Sequence, residues 1–372
     1  MYKILLTPLE LKPGMVTANP VMCENENDPV NNAVLLLPDT VLTENIIKRL
    51  ISQKIDAVMV YSDEPLSRSP YYTPPPIKPV INEDLKRKAI DGIRDLFTSI
   101  GEAVSEHGNM TTAYQLIKDL NNVVDQLVDI ISSEPNALVH ISDLKSYDEY
   151  TYHHSLSVAV LSIAIGQEMG FDKEKLKKLG RCAIMHDIGK TMVPIEIINK
   201  PSRLTEEEFA LIKQHSQNGG KCITQGQIAD SEIWAGVLHH HEKWNGSGYP
   251  DKLKSDEIPL FARIISVADV YDAITSYRSY RSPMPPAEAV ELVMSEVDRS
   301  FEYEIVKYFI KKLAPYPVNT VVELSDGRRG IVINSSHAMR PIIKLIDTDE
   351  ILDLMDMKNL NLIITTVINQ GN

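Results

Sequence analysis

The sequence lacks the features that define several protein classes. Its 372 residues include three cysteines, Cys23, Cys182 and Cys222, odd in number and far apart. That pattern builds neither a disulfide framework nor a paired-cysteine zinc knuckle, and it fits a reducing cytoplasm. No apolar run approaches the roughly 20 residues of a membrane span, and the segment from Met1 to Pro8 lacks a signal-peptide core of adequate length. A soluble cytoplasmic protein with no membrane partner is expected. Basic excess is also missing: the net charge is -13. This argues against a nucleic-acid polymer as partner, because such partners are met with a basic face that displaces counterions. A small anionic ligand remains compatible wherever Lys and Arg converge locally. There is no internal repeat, and no low-complexity tract beyond one proline-rich segment.

Histidine is present and concentrated. Of ten histidines, seven (His153, His154, His186, His215, His239, His240 and His241) fall between His153 and Arg281. Imidazole is the commonest transition-metal ligand, and scattered structural histidines do not cluster in this way. At the centre stands His186-Asp187-Ile188-Gly189-Lys190. An adjacent His and Asp can present a neutral imidazole and a two-oxygen carboxylate to one point, and the carboxylate can hold two cations at once.

Chain order supplies the frame. Residues 1–68 read as a small α/β module, with a strand over Val34–Leu37, a helix capped by Thr43 and carrying Ile46, Ile47, Leu50 and Ile51, and a second strand over Ala57–Tyr61. Prolines at 70, 74, 75, 76 and 79 make residues 69–81 a linker. Residues 82–146 form a helical connector. Ile90, Ile93, Leu96, Phe97 and Ile100 keep a helical period, as do Leu116, Leu120, Val123, Val124, Leu127 and Ile131. These faces call for a partner, either the catalytic bundle or a second copy of the chain as a homodimer. Residues 147–313 are helical and hold every candidate ligand. Residues 314–372 form a small β element, with strands over Val321–Leu324, Gly330–Ile333 and Ile342–Ile346 and a turn at Ser325-Asp326-Gly327. The fold class is therefore mainly α, a helical bundle with a small α/β N-terminal module and a small β C-terminal element.

Inward faces select the ligands. His154 is followed at steps of +4, +7 and +11 by Val158, Leu161 and Ile165, whereas His153 meets Ser157, Val160 and Ala164, so His154 is preferred. His186 and Asp187 follow Leu179 and Ala183 on their helix, and Gly189 permits close backbone approach. Thr205 and Glu208 form a capping box that starts a helix leading to His215. Three consecutive histidines, His239 to His241, cannot all face one way. Asp269 sits on an apolar helix with Phe261, Ala262, Ile264 and Ile265, where an unpaired carboxylate is costly unless a cation is near. Such a mixed N and O set exceeds the four positions of a structural zinc and suits two adjacent iron or manganese ions. Two ions about 3.5–4 Å apart activate a bridging water for in-line phosphoryl displacement, so phosphoester hydrolysis is the reaction class. Lys190, Arg278 and Arg281 flank the ligands as candidate phosphate contacts.

These residues carry a resemblance. His154, His186-Asp187 and Asp269 resemble the pattern of HD-domain phosphohydrolases. His186-Asp187-Ile188-Gly189-Lys190 and the run His240-His241-Glu242 to Gly248-Tyr249-Pro250 are similar to the two signatures of the HD-GYP subfamily, in order. The resemblance implies an HD-type catalytic bundle and a phosphodiesterase for cyclic di-GMP, with linear pGpG or, on further hydrolysis, GMP as the final product. It implies His154, His186, Asp187, His215, His240, His241 and Asp269 as metal ligands, with Asp187 the bridge and a hydroxide held between two metal ions. By the same resemblance Lys190 assists at the scissile phosphate, Gly248 and Tyr249 shape the substrate loop, and Arg278 and Arg281 hold phosphates. Members with three metals have a Glu four residues before the first ligand His. Here that position is Tyr150, and Glu149 is rotated by about 100° on a helix, so two ions are expected. The competing readings are another cyclic dinucleotide or nucleotide as substrate, and an inert receptor for cyclic di-GMP.

Overall fold

The computed structural model describes the chain outside residues 1, 7, 9–10, 19–20, 24–32, 54, 56–57, 63–80, 106–110, 134–149, 199, 201–203, 226–229, 277–282, 336–338, 349 and 369–372. Arg278, Arg281, Glu149 and nearly all of the expected linker therefore lie outside the described residues. The chain divides into two compact units, one made of residues 1–78 with 316–372 and the other of residues 79–315.

In the first unit, strands β1 (Tyr2–Leu6) and β4 (Val58–Ser62) pair antiparallel, as do β2 (Val21–Cys23) and β3 (Ala33–Leu36). Helix α1 (Glu44–Ser52) begins where Thr43 accepts a hydrogen bond from the Ile46 amide, as its cap residue dictates. Ile47 and Leu50 of α1 pack with Leu11, Val21, Leu42, Val58 and Val60 into a small core. The strands at the very N-terminus and at Val21–Cys23 were not expected from periodicity, since the first is completed by the distant strand β4 and the second has only three residues. The C-terminal part is a five-stranded sheet in the order β8-β7-β6-β5-β9. Its strands are β5 (Val321–Leu324), β6 (Arg329–Asn334), β7 (Ile342–Leu345), β8 (Ile351–Asp353) and β9 (Ile364–Ile368). The edge strands β8 and β9 add to the three runs expected, and their weak apolar patterns are what strands paired on one side permit.

The second unit is helical. Helix α2 (Glu83–Ser105) pairs with α3 (Thr111–Ser133), and they lie against α4 (Tyr150–Glu168) and α5 (Lys173–Met185). The apolar faces of the connector are thus covered within the unit, which answers the need that a second copy was invoked to meet. The buried face of α3 differs in detail from its expected stripe: Ile117 and Val128 are buried, while Leu116 and Val123 are only half-buried. Helix α4 is the axis. Every residue from His154 to Gly166 is buried, so the helix is enclosed all round by α5, α9 (Leu260–Thr275), α11 (Tyr303–Lys312), α2 and α3. Each fully buried Leu or Ile on it, such as Leu156, Leu161, Ile163 and Ile165, stabilises by about 1.5–3 kcal/mol. Gly170, with φ +80°, ends α4, and the Phe171 amide reaches back to the Gly166 carbonyl at 3.0 Å.

After α5 the chain tightens into a 3-10 turn (Ile188–Met192), then a single turn α6 (Ile195–Ile198). Helix α7 (Glu206–Gln225) opens with the expected capping box, the Glu208 amide donating to Thr205 Oγ1 at 3.2 Å and the Thr205 amide to Glu208 Oε2 at 2.8 Å. Helix α8 (Ser231–His239) is capped by Asp230, and α10 (Pro286–Ser295) joins α9 to α11. Among the described residues no helix is long and apolar enough to cross a membrane.

Candidate metal centre

Helix ends deliver most of the cluster. The α5 helix stops at Met185, so His186 and Asp187 stand in the turn after it and not on the helix as expected. Likewise α8 stops at His239, and His240 and His241 occupy the turn that follows. His186 and His240 keep helical backbone angles, φ −54°, ψ −37° and φ −64°, ψ −13°, so each ligand pair stands at the end of a helix, one of its residues continuing the helical path. His215 comes from the body of α7, Asp269 from α9 and His154 from the first turns of α4.

These side chains converge. Asp187 lies between two groups: its Oδ2 is 3.7 Å from His154 Nε2 and 3.4 Å from His186 Nε2, and its Oδ1 is 3.4 Å from His215 Nε2. Asp269 Oδ1 is 3.2 Å from His154 Nε2, and its Oδ2 is 3.9 Å from His241 Nδ1. His215 Nε2 is 3.2 Å from His240 Nε2 and 3.1 Å from His241 Nε2. Two sets emerge, Asp187 with His215, His240 and His241, and His154 with His186 and Asp269. All seven expected ligands are brought together. His153 is half-buried and outside both sets. Periodicity preferred His154 on a criterion that does not discriminate, because Ser157, Val160 and Ala164 are as buried as Val158, Leu161 and Ile165.

Three rings are oriented by the backbone. The Nδ1–H groups of His186, His215 and His240 donate to the carbonyls of Ala183, Ile212 and Val237, each three residues earlier, at 2.7, 2.6 and 2.7 Å. The proton assigned to Nδ1 by this network leaves a lone pair on each Nε2. The 3.2 Å contact between His215 Nε2 and His240 Nε2 then has no proton to share. Among the described residues, buried His186 Nε2 and Asp187 Oδ1 have no hydrogen-bond partner. Facing lone pairs at this spacing fit ligands around a cation, since adjacent ligands at about 2.1 Å from one ion stand about 3.0–3.4 Å apart. The residues present therefore fit divalent metal.

Electrostatics separates His154 from the other imidazoles. Burial lowers the pKa of His186, His215 and His240, and takes His241 down to about 3, so all four are neutral near pH 7. Burial acts the same way on His154, but hydrogen bonds to Asp269 and Asp272 outweigh it and raise its pKa to about 9. Asp187, despite burial, is held well below the usual carboxylate range by Lys190 and the surrounding imidazoles. Lys190 Nζ donates directly to Asp187 Oδ2.

Asp272 was missed by sequence reasoning. It is fully buried on α9, and its Oδ2 accepts from His154 Nδ1 at 2.7 Å and from Ser276 Oγ at 3.3 Å. The signal was there: Asp272 stands three residues after Asp269, on the same face of a helix. A carboxylate behind a ligating imidazole fixes its tautomer and raises its basicity. In the metal-free protein the His154 proton contributes stability that is fully present below its unfolded pKa of about 6.5 and is lost as pH rises through about 9. A metal must displace that proton. Calorimetry in buffers of differing ionisation enthalpy should find about one proton released per chain at pH 7.5, and an apparent affinity rising about tenfold per pH unit up to pH 9. A pH-independent affinity would contradict this account. Asp272→Asn should weaken metal binding about 10–100-fold and move the proton release to lower pH, and an unchanged titration would show that Asp272 does not act through His154.

The loop after the cluster is folded against it. A Cβ on Gly248 would lie 2.4 Å from Glu242 Cα and from the Lys243 amide nitrogen, so only glycine lets the loop return here. Glu242, part of the second signature but given no role from sequence, is buried and accepts the Asp251 amide at 2.7 Å. Tyr249 is half-buried, its ring 4.8 Å from that of His241. His239 turns away from the cluster towards Trp234 and Glu242.

Residues 125–305 match the HD domain family model. A cyclic di-GMP phosphodiesterase of Pseudomonas aeruginosa is 38% identical over 213 residues, covering 57% of this chain and 51% of that protein. One of Thermotoga maritima is 38% identical over 165 residues, 44% of this chain and 45% of that protein. A 3'3'-cGAMP-specific phosphodiesterase of Vibrio cholerae is 38% identical over 172 residues, 46% of this chain and 39% of its own length. The chain spans about half the length, or less, of these relatives.

Proposed function

We propose that this chain, whose residues 125–305 match the HD domain family model, is a metal-dependent phosphodiesterase of the HD-GYP type that opens cyclic di-GMP to linear pGpG, the hydrolysis ending there or going on to GMP. The observation that carries this reading is the placement of Asp187 between two sets of imidazoles whose Nε2 atoms face inward. We assign His154, His186, Asp187, His215, His240, His241 and Asp269 as ligands of two divalent ions, iron or manganese by their mixed nitrogen and oxygen donors. Ions bound there supply Lewis acidity towards water and phosphate oxygens. Lys190, already against Asp187, reaches the scissile phosphate with its ammonium. The packed Gly248 loop holds Tyr249 at the rim, where its ring can stack on a guanine. Arg278 and Arg281, outside the described residues, are proposed as phosphate contacts on their sequence position alone.

A second substrate rests on an observation of its own. The 3'3'-cGAMP-specific relative is as identical over its aligned segment as the two that act on cyclic di-GMP. Anaerobically purified protein should be assayed for metal and for turnover of cyclic di-GMP and 3'3'-cGAMP on the same sample. Two ions per chain and hydrolysis of cyclic di-GMP that is lost on chelation and restored by iron or manganese are expected. Three ions would overturn the two-metal assignment. Hydrolysis of 3'3'-cGAMP alone would change the substrate, and tight binding without turnover in any metal would make the protein a receptor.

A further inference from the structure

Beside the metal cluster, Lys213 on α7 stands apart from the other lysines of that region. Its Nζ lies 4.8 Å from the ring centre of Phe209, one helical turn earlier, and 5.9 Å from that of Tyr249. The Tyr249 ring in turn is 4.8 Å from His241 and 6.5 Å from His215, so the ammonium is one aromatic ring away from the cluster. Nearby Lys200 is neutralised by Glu208 at 2.6 Å, and Lys190 by Asp187. Among the described residues, Lys213 has no carboxylate partner. Aromatic faces attract an ammonium without neutralising it. Half-buried against two rings, its ammonium lies in a place where water screens it less. Phe209 is 48% exposed, so an aromatic face beside that charge is open to a base.

We propose that Lys213 is a substrate-binding residue that holds the phosphodiester not undergoing cleavage, with Phe209 and Tyr249 as the walls beside it. The inference rests on the cyclic-dinucleotide reading above. A cyclic dinucleotide carries two phosphodiesters, and the cluster with Lys190 engages one at a time. The other leaves the metal site as a desolvated anion that needs a cation. Lys213 supplies one, and it supplies none to a substrate with a single phosphate.

The test compares two substrates in the metal-loaded full chain: cyclic di-GMP, and bis(p-nitrophenyl) phosphate, which has one phosphodiester. Lys213→Met keeps the apolar stem against the rings and removes the charge. The expected result is a KM for cyclic di-GMP raised about tenfold or more, the usual weight of one charged hydrogen bond, with kcat within about twofold and metal content unchanged. Lys213→Arg should restore KM, and both constants for bis(p-nitrophenyl) phosphate should stay at wild-type values. An unchanged KM for cyclic di-GMP, equal losses on both substrates, or no recovery with arginine would each overturn the proposal. If the wild type hydrolyses bis(p-nitrophenyl) phosphate and no cyclic dinucleotide, the substrate reading itself fails and takes this inference with it, an outcome visible before any substitution is made.

Discussion

Replacing His186 and Asp187 together by alanine should abolish the proposed phosphodiester hydrolysis, with a loss of at least about 10³-fold expected when a preorganised electrostatic site is dismantled. Asp187 is the group that touches both ligand sets, and His186 is fully buried with its Nε2 aimed at that carboxylate. Removing the pair leaves His154 with Asp269 on one side and three imidazoles on the other, joined by nothing. Metal content should fall with activity. The fold should survive, because metal-free Asp187 is a buried charge whose desolvation offsets much of its attraction to Lys190. Circular dichroism would show helix content unchanged, and metal analysis would show fewer than two ions per chain. Asp187→Asn, of equal volume, separates loss of charge from loss of packing and should be nearly as inactive. Hydrolysis retained at wild-type rate in the double variant would remove the cluster from the mechanism.

The second large effect concerns a residue with no functional group. A Cβ on Gly189 would lie 2.0 Å from the His215 carbonyl oxygen and 2.4 Å from the Gly219 amide nitrogen. Both atoms belong to the backbone of α7, which has no rotamer to move aside. Gly189→Ala therefore pushes α7 away from the 3-10 turn by an ångström or so. Overpacking of this kind costs about 3 kcal/mol, at the upper end for an added methyl group, and about 6–12 °C in Tm for a unit of this size. His215 rides on α7, so metal affinity should fall as well. Thermal unfolding with and without manganese would read both effects. A variant with wild-type Tm and metal content would mean that the turn and α7 separate without penalty. By contrast, a Cβ on Gly101 would meet only the Thr191 side chain, at 3.7 Å. Gly101→Ala, inside α2, is the matching control: it should leave metal content unchanged and raise Tm by about 2–4 °C, because alanine is the better helix former by about 1 kcal/mol.

Much of this site was legible in the sequence. Seven histidines between His153 and Arg281, six of them beside aspartate or another histidine, state a metal site without any fold, because imidazole and carboxylate in that density have few other uses. The Thr205–Glu208 capping box placed the start of α7 correctly, since a cap is a local hydrogen-bond pattern that short-range sequence spells out. Asp272 was overlooked for a physical reason. A carboxylate three residues past a ligand reads as a surface charge unless its partner is known, and that partner, His154, is 118 residues away in the chain. The strands at Tyr2–Leu6 and Ile364–Ile368 were hidden for the same reason: each is completed by a strand remote in sequence.

Residue chemistry and local pattern thus determined which groups can bind metal, where most of the helices lie, and that the chain is mainly helical. Tertiary structure alone decided three further things. It ended α5 and α8 one residue before the paired ligands, so that both pairs stand at helix ends facing the same cluster. It set Asp272 behind His154 and raised that one imidazole while burial lowered the other four. It also brought Lys213 to the rings of Phe209 and Tyr249. Each of these depends on distance and burial between residues far apart in the chain, and a linear pattern carries neither.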